Sequence, residues 1–342
     1  MVQLYSSEER KHEGVYRDID WGHVLDAIEF IESKPPEPFC LFLALGNPHP
    51  PYAVEEPYFS RIDRNRLPSR IPTPEDLGAK STIHKQLAEL SNMQNWSEER
   101  WNELRAVYYG QCARVDDQFG RVLDAMKRAG LYDDSAVFFF SDHGDFTGDY
   151  GLVQKTDRAF DDCLVRVPMI IKPPKSHSCT PGIREQLVEL VDFQATVHAM
   201  TGIAHTHTTF GRTLSDNLAD PGAAGREVVF SEGGVSKMHW KRTQENAPEP
   251  KPTGMYWAGH MIDRSMSAGS LATMCRTDAY KYVKRSDQRD ELYDLQNDPS
   301  ELQNRIDDPA MTAVLTDMKE RMLTWYHETC DSIPFDNDKR ES

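Results

Sequence analysis

Phe138-Phe139-Phe140-Ser141-Asp142-His143-Gly144-Asp145-Phe146-Thr147-Gly148-Asp149-Tyr150-Gly151-Leu152-Val153-Gln154-Lys155 is the stretch on which the reading turns. The apolar run that opens it reads as a buried strand. That strand delivers a carboxylate and an imidazole to one loop. Gly144, Gly148 and Gly151 let the backbone turn tightly and approach a ligand. Lys155 follows closely enough to return to the same place. A carboxylate and a neutral imidazole suit a divalent cation, and a lysine beside them suits an anionic ester. A helix-capping aspartate and a surface lysine explain the same residues, and a motif this short does not decide between the two.

Working upstream, Glu98 to Arg128 is helical. Leu104, Val107, Val115, Phe119, Val122 and Met126 recur at helical spacing, and Gly130 is a plausible stop. Residues 55–95 are rich in Pro, Arg and Asp and read as an excursion over the surface. Before them, FCLFLAL (39–45) is a continuous apolar run, the mark of a strand buried on both faces. It leads into Gly46-Asn47-Pro48-His49-Pro50-Pro51-Tyr52, a rigid loop. Residues 21–33 form a helix with Val24, Leu25, Ile28 and Ile31 on one face.

Downstream, Val167–Ile171 and Val228–Phe230 read as further core strands, with a helix over Glu185–Met200 between them. Strands alternating with helices argue for an α/β, doubly wound sheet, in which ligands sit at the C-terminal ends of strands. His49 and the Asp142-His143 pair both take that position. Ala272–Arg276, Tyr280–Lys284 and Glu291–Leu295 then read as short strands, closed by a helix from about Met311 to Glu328. The division expected is an α/β core over 1–265 and a small C-terminal α+β unit over 266–342.

Composition narrows the function classes. A net charge of −16 argues against nucleic acid as a partner, because that affinity needs clustered Lys and Arg. No apolar run approaches the roughly 20 residues that span a bilayer, so no membrane partner is expected. The polar start MVQLYSSEERKHEG carries no signal-peptide stretch, which makes a cytoplasmic location the default. The six cysteines form no C-x-x-C pair and read as free thiols, with Cys40 and Cys163 buried beside strand-like residues. His205-Thr206-His207 reads as a solvent-exposed loop.

With the motifs quoted, the chain resembles the sulfatases of the alkaline-phosphatase-like superfamily. F-S-D-H-G-D-x-x-G-D-x-G-L-x-x-K is similar to their metal-and-sulfate segment, and Asn47-Pro48-His49-Pro50-Pro51-Tyr52 to their N-P-H-x-P-Y loop. Tyr108-Tyr109-Gly110, Val115-Asp116-Asp117, Tyr280-Lys281-Tyr282, Asp290-Glu291-Leu292-Tyr293-Asp294-Leu295 and Asp298-Pro299-Ser300-Glu301-Leu302-Gln303-Asn304 follow in the family's order. The resemblance runs from about residue 20 to about 335. It implies that Asp142 and His143 are metal ligands, usually of calcium. It implies that Lys155 contacts the sulfate group, and that His49 binds the sulfate or helps protonate the leaving oxygen. It implies a small-molecule sulfate ester as substrate. Tyr150 stands where many relatives carry a second histidine, which points to the substrate rim. Trp240, Tyr256, Trp257 and His260 precede the small unit and are a second candidate for that rim.

One family element is not in the sequence. The nucleophile is a formylglycine made from Cys or Ser in a C/S-x-P-S-R motif. Arg66-Leu67-Pro68-Ser69-Arg70 puts Arg at the nucleophile position, and Cys179-Thr180-Pro181-Gly182 lacks the Ser-Arg. The resemblance therefore covers the C-terminal portion of a sulfatase whose sheet is incomplete, with exposed apolar edges and poor solubility. Three readings stand: a sulfatase inactive as this chain alone, a non-catalytic binding module, and a phosphodiesterase or phosphonate hydrolase of the same superfamily. Metal identity and oligomeric state are not read from the sequence.

Overall fold

The computed structural model describes residues 11–12, 15–16, 18–234 and 271–330. The boundary at 265/266 and the rim candidates Trp240, Tyr256, Trp257 and His260 lie outside the described residues. In chain order the elements are β1 (Lys11–His12), β2 (Val15–Tyr16), α1 (Ile19–Glu32), α2 (Tyr58–Arg61), α3 (Leu77–Lys80), α4 (Thr82–Ser91) and α5 (Glu98–Ala129). They continue as β3 (Val137–Phe140), α6 (Asp162–Val165), β4 (Met169–Lys172), α7 (Asp192–Thr201), α8 (Ser215–Ala219) and β5 (Val229–Gly233). The chain closes with β6 (Ala272–Arg276), β7 (Tyr280–Arg285), β8 (Glu291–Asp294) and α9 (Thr312–Thr329).

α5 is the spine, and its sequence explains its length. The Ser97 hydroxyl accepts from the Arg100 N–H, Glu98 and Glu99 occupy the positive end, and Lys127 and Arg128 the negative end. Gly130, at φ +79°, ends it in the left-handed region that glycine reaches without strain. Its Leu104, Val107 and Val122 pack with Val24 and Ile31 of α1 and with Tyr52, Val54 and Tyr58. Burying each such side chain stabilises the fold by about 1.5–3 kcal/mol. Gly110 is required at the crossing, since a Cβ there would lie 2.9 Å from Val54 Cγ1.

β3 sits between two helices. Phe139 faces Phe119 of α5, with ring centroids 4.9 Å apart, while Phe138 and Phe140 face Phe193 of α7 at 5.0 and 4.9 Å. Alternate side chains thus meet opposite helical layers, as the α/β reading expects. Several details differ from the sequence reading. β4 pairs with β3 antiparallel, Phe138 opposite Ile171. Apolar runs encode burial, and burial does not fix strand direction.

Residues 39–45 are outside any strand, and Cys40, Leu41 and Phe42 are exposed, Phe42 by 78%. Leu43 and Leu45 alone turn onto the α1–α5 core. One face packs and the other does not, so a run typical of a two-sided strand lies with apolar surface open. Cys163 is half-buried, and all six cysteines are free thiols. Val229–Gly233 belongs to the small sheet, not to the core layer, because β5 pairs with β6. The helix expected from Glu185 starts only at Asp192, whose side chain accepts from the Glu189 and Arg212 N–H groups.

The C-terminal unit is a four-stranded antiparallel sheet in the order β5-β6-β7-β8, covered by α9. Met318 and Met322 of α9 pack on Cys275, Tyr282 and Leu292, and Trp325 stacks on Phe230 at 4.7 Å. A buried ionic network joins this unit to the core. The Lys281 ammonium donates to Asp162 (2.7 Å), Glu301 (2.8 Å) and the Phe160 carbonyl (2.8 Å). Lys80 and His84, from the stretch expected on the surface, are instead buried and reach the Asp161 carboxylate at 2.8 and 2.7 Å. Burial alone would raise the Asp161 carboxyl, but His84 and Lys80 outweigh it and hold its pKa well below the ordinary range.

Candidate active site

Two loops form the site. The His49 loop is fixed at its root by Asp20 of α1. That carboxylate accepts from the Gly46 N–H (2.7 Å), the Asn47 N–H (2.9 Å) and the Asn47 side-chain amide (2.6 Å). From α5, the Gln111 amide donates to Asn47 Oδ1 (3.0 Å) and the Pro51 carbonyl (3.2 Å). With its backbone groups satisfied this way, a proline-rich loop lies fixed although no strand precedes it.

The second loop leaves β3 at Phe140 and folds back on itself. The Phe146 N–H donates to the Gln154 carbonyl at 2.9 Å, and Gly148 N–H to Leu152 at 2.7 Å. Gly144 is a close approach. A Cβ at that position would lie 1.9 Å from the Cys163 carbonyl oxygen, so no larger residue fits there without displacing backbone.

The loops converge on His49 and Lys155, which are 106 residues apart in sequence. Lys155 Nζ lies 2.5 Å from His49 Nε2. His49 Nδ1 lies 2.7 Å from the Pro50 carbonyl oxygen, which makes Nδ1 the donor and leaves Nε2 to accept from the ammonium. Burial lowers the Lys155 pKa from its ordinary value, while Asp145 and Asp142 oppose that shift. A half-buried ammonium against a neutral imidazole is a compact donor for an oxyanion.

Asp142 and His143 stand on the same loop at the end of β3. They lie beside each other, His143 Nε2 3.6 Å from Asp142 Oδ2, and the Asp142 side chain is 83% exposed. Among the described residues there is no group of three or more His, Cys, Asp or Glu side chains placed to hold a metal. A carboxylate and one imidazole do not complete a calcium shell of six to eight, mostly oxygen, ligands. These two donors therefore do not make a calcium site by themselves.

Several residues depart from the expected roles. Tyr150 is 1% exposed, and its hydroxyl donates to the Ser300 carbonyl at 2.9 Å. It joins the loop to the C-terminal unit and does not face a substrate rim. Arg70 of the P-S-R decoy pairs with Glu98 and donates to the Gly148 carbonyl, a structural use. His205 is half-buried against His198, with ring centroids 4.0 Å apart. Tyr52 and Asp145 went unassigned in the sequence, yet they join the two loops: the Tyr52 hydroxyl donates to Asp145 at 2.8 Å. Each stands in a quoted motif, but nothing local says that the two meet across 93 residues of sequence.

Comparison with known proteins settles the family. The sulfatase family profile matches residues 16–203, more than half of the chain. The chain belongs to the sulfatase family. The C-terminal profile of N-sulphoglucosamine sulphohydrolase matches residues 256–328. A multifunctional alkaline phosphatase superfamily protein of Trinickia caryophylli is 24% identical over 87% of this chain and 57% of its own length. The choline-sulfatase of Rhizobium meliloti is 26% identical over 86% of this chain and 52% of its own. The phosphonate monoester hydrolase of Agrobacterium radiobacter superposes with a TM-score of 0.72 at 24% identity, over 90% of this chain and 60% of that one. The sulfatase thus has an alkaline-phosphatase-like α/β fold with a small antiparallel sheet and a C-terminal helix. It spans under two thirds of the length of these relatives.

Proposed function

We propose that this chain carries the anion-binding and leaving-group half of a sulfate-ester hydrolase. The observation that supports the reading is the convergence of His49 and Lys155 at 2.5 Å from two separately anchored loops. In this reading the Lys155 ammonium binds the non-bridging oxygens of a sulfate monoester. As the ammonium turns to the anion, His49 Nε2 is released from it, takes up a proton from water and gives that proton to the bridging oxygen as the ester bond breaks. Asp142 and His143 are the chain's share of a divalent metal site that needs further ligands. The 342 residues hold no C/S-x-P-S-R motif, so the chain alone is proposed to bind sulfate without turning it over.

A second reading, phosphonate or phosphodiester hydrolysis, takes its support from the likeness to the phosphonate monoester hydrolase of Agrobacterium radiobacter. One titration series separates the two. Calorimetry with inorganic sulfate, 4-nitrophenyl sulfate and phenylphosphonate is run on the chain and on Lys155→Met. The first reading expects Lys155-dependent binding with sulfate groups preferred. Preference for the phosphonate favours the second. Binding indifferent to Lys155 removes the support for both.

A further inference from the structure

The geometry points to Asp145 and Tyr52 as positioning residues that fix Lys155 against His49, and so set the affinity for the anion. The inference rests on the reading of His49 and Lys155 as an anion-binding pair.

Lys155 takes its position from Gln154, and Gln154 is held in an unusual way. Its φ is +64°, in the left-handed region, which costs a non-glycine residue about 1 kcal/mol or more. Its N–H points to two acceptors, the Tyr52 hydroxyl oxygen at 2.9 Å and Asp145 Oδ1 at 3.1 Å. Thr147, at the other end of the fold-back, is also left-handed, with φ +46°. Its N–H and hydroxyl both donate to Asp145 Oδ1, at 2.8 and 2.9 Å. One carboxylate oxygen therefore restrains both strained positions and closes the loop that ends at Lys155.

Tyr52 links this closure to the histidine. It follows His49 on the same proline-rich loop and is 1% exposed. Its hydroxyl hydrogen meets both Asp145 oxygens, at 2.8 and 2.9 Å, while its lone pair takes the Gln154 N–H. The single hydroxyl thus joins the two loops at the point where each hands over its functional side chain. Asp145 and Tyr52 act on the anion only through Lys155 and His49.

The test reads the His49 imidazole by ¹⁵N NMR in the full chain. Lys155→Met is expected to displace the His49 ring signal, because it removes the donor on Nε2. The same substitution is then made in Asp145→Ala and Tyr52→Phe backgrounds, with near-UV circular dichroism checking that each is folded. If the pair positions Lys155, the displacement shrinks by about twofold or more in both backgrounds. An undiminished displacement in a folded variant overturns the proposal, since Lys155 then meets His49 without the clamp. Where Asp145→Ala does not fold, Tyr52→Phe decides, because it removes a hydroxyl and leaves the ring packed. Sulfate titration of the same variants tests the underlying reading separately. Both variants are expected to bind about tenfold more weakly, the worth of roughly one hydrogen bond to a charged group. Loss of all Lys155-dependent sulfate binding in the unsubstituted chain would sink the anion reading while the NMR result still decides the positioning.

Discussion

Asp142 and Asp145 stand on one loop, and the chain uses them in opposite ways. The Asp142 side chain is 83% exposed and leans on a neighbouring histidine. The Asp145 carboxylate is desolvated enough that burial raises its pKa, and it is surrounded by donors from Tyr52, Thr147 and Gln154. The first is free to serve a ligand, and the second is committed to the protein. The proposed anion side of the site is organised by buried polar groups of this chain. The proposed cation side offers two donors, and among the described residues no third His, Cys, Asp or Glu side chain joins them. Preorganisation in this chain follows where hydrogen-bond partners converge: residues of one motif are held or left open according to the partners they meet.

The comparison breaks most violently if the frame beneath it is disturbed. Asp161→Asn leaves the buried Lys80 ammonium, and His84 beside it, without the carboxylate they share, a change that costs about 3–5 kcal/mol. Thermal unfolding is expected at a much lower temperature than for the parent. The same pair sets a pH window. The Asp161 pKa is depressed in the folded state, so its stabilisation is full above the ordinary carboxylate pKa of about 4 and is lost as the pH falls through the depressed value. Melting temperatures taken across the acid range check the sign, and Asp161→Asn should flatten that part of the dependence.

A smaller effect sharpens the anion side. Lys155→Met should weaken sulfate binding by about tenfold to a hundredfold, the loss of a charge-assisted contact. Because burial lowers the Lys155 pKa, binding is expected to fade as the pH rises through a value below the ordinary lysine range. A titration series from neutral to alkaline pH reads this directly. The smallest effect belongs to the cation side. Calcium added to the chain should move the melting temperature little, and Asp142→Ala should leave it unchanged. A large calcium stabilisation lost in Asp142→Ala would show that the open side is a complete site after all.

What was legible in the sequence follows the range of the forces involved. α1, α5, β3, the three final strands and α9 are set by local periodicity and caps, and they appear within a residue or two of their expected bounds. His49 and Lys155 were recognisable as motif letters. The rest depends on distant partners. Residues 39–45 have the composition of a two-sided strand, but a strand needs a ladder as well as apolar side chains. Lys80 and His84 read as surface because the carboxylate that makes their burial tolerable is 77 residues beyond His84. Tyr150 occupies a position that suggests a rim residue, but its hydroxyl donates to the Ser300 carbonyl, 150 residues away. The Tyr52–Asp145 clamp is of the same kind.

The account depends on His49 and Lys155 acting as one anion-binding unit, and a double-mutant cycle on sulfate affinity tests that most directly. Sulfate is titrated into the chain, His49→Ala, Lys155→Met and the double variant under one low-salt buffer. The account predicts strong coupling, on the order of 1 kcal/mol, with the double variant binding little worse than Lys155→Met alone. Strictly additive losses, or a Lys155→Met variant that binds sulfate as well as the parent, would contradict it.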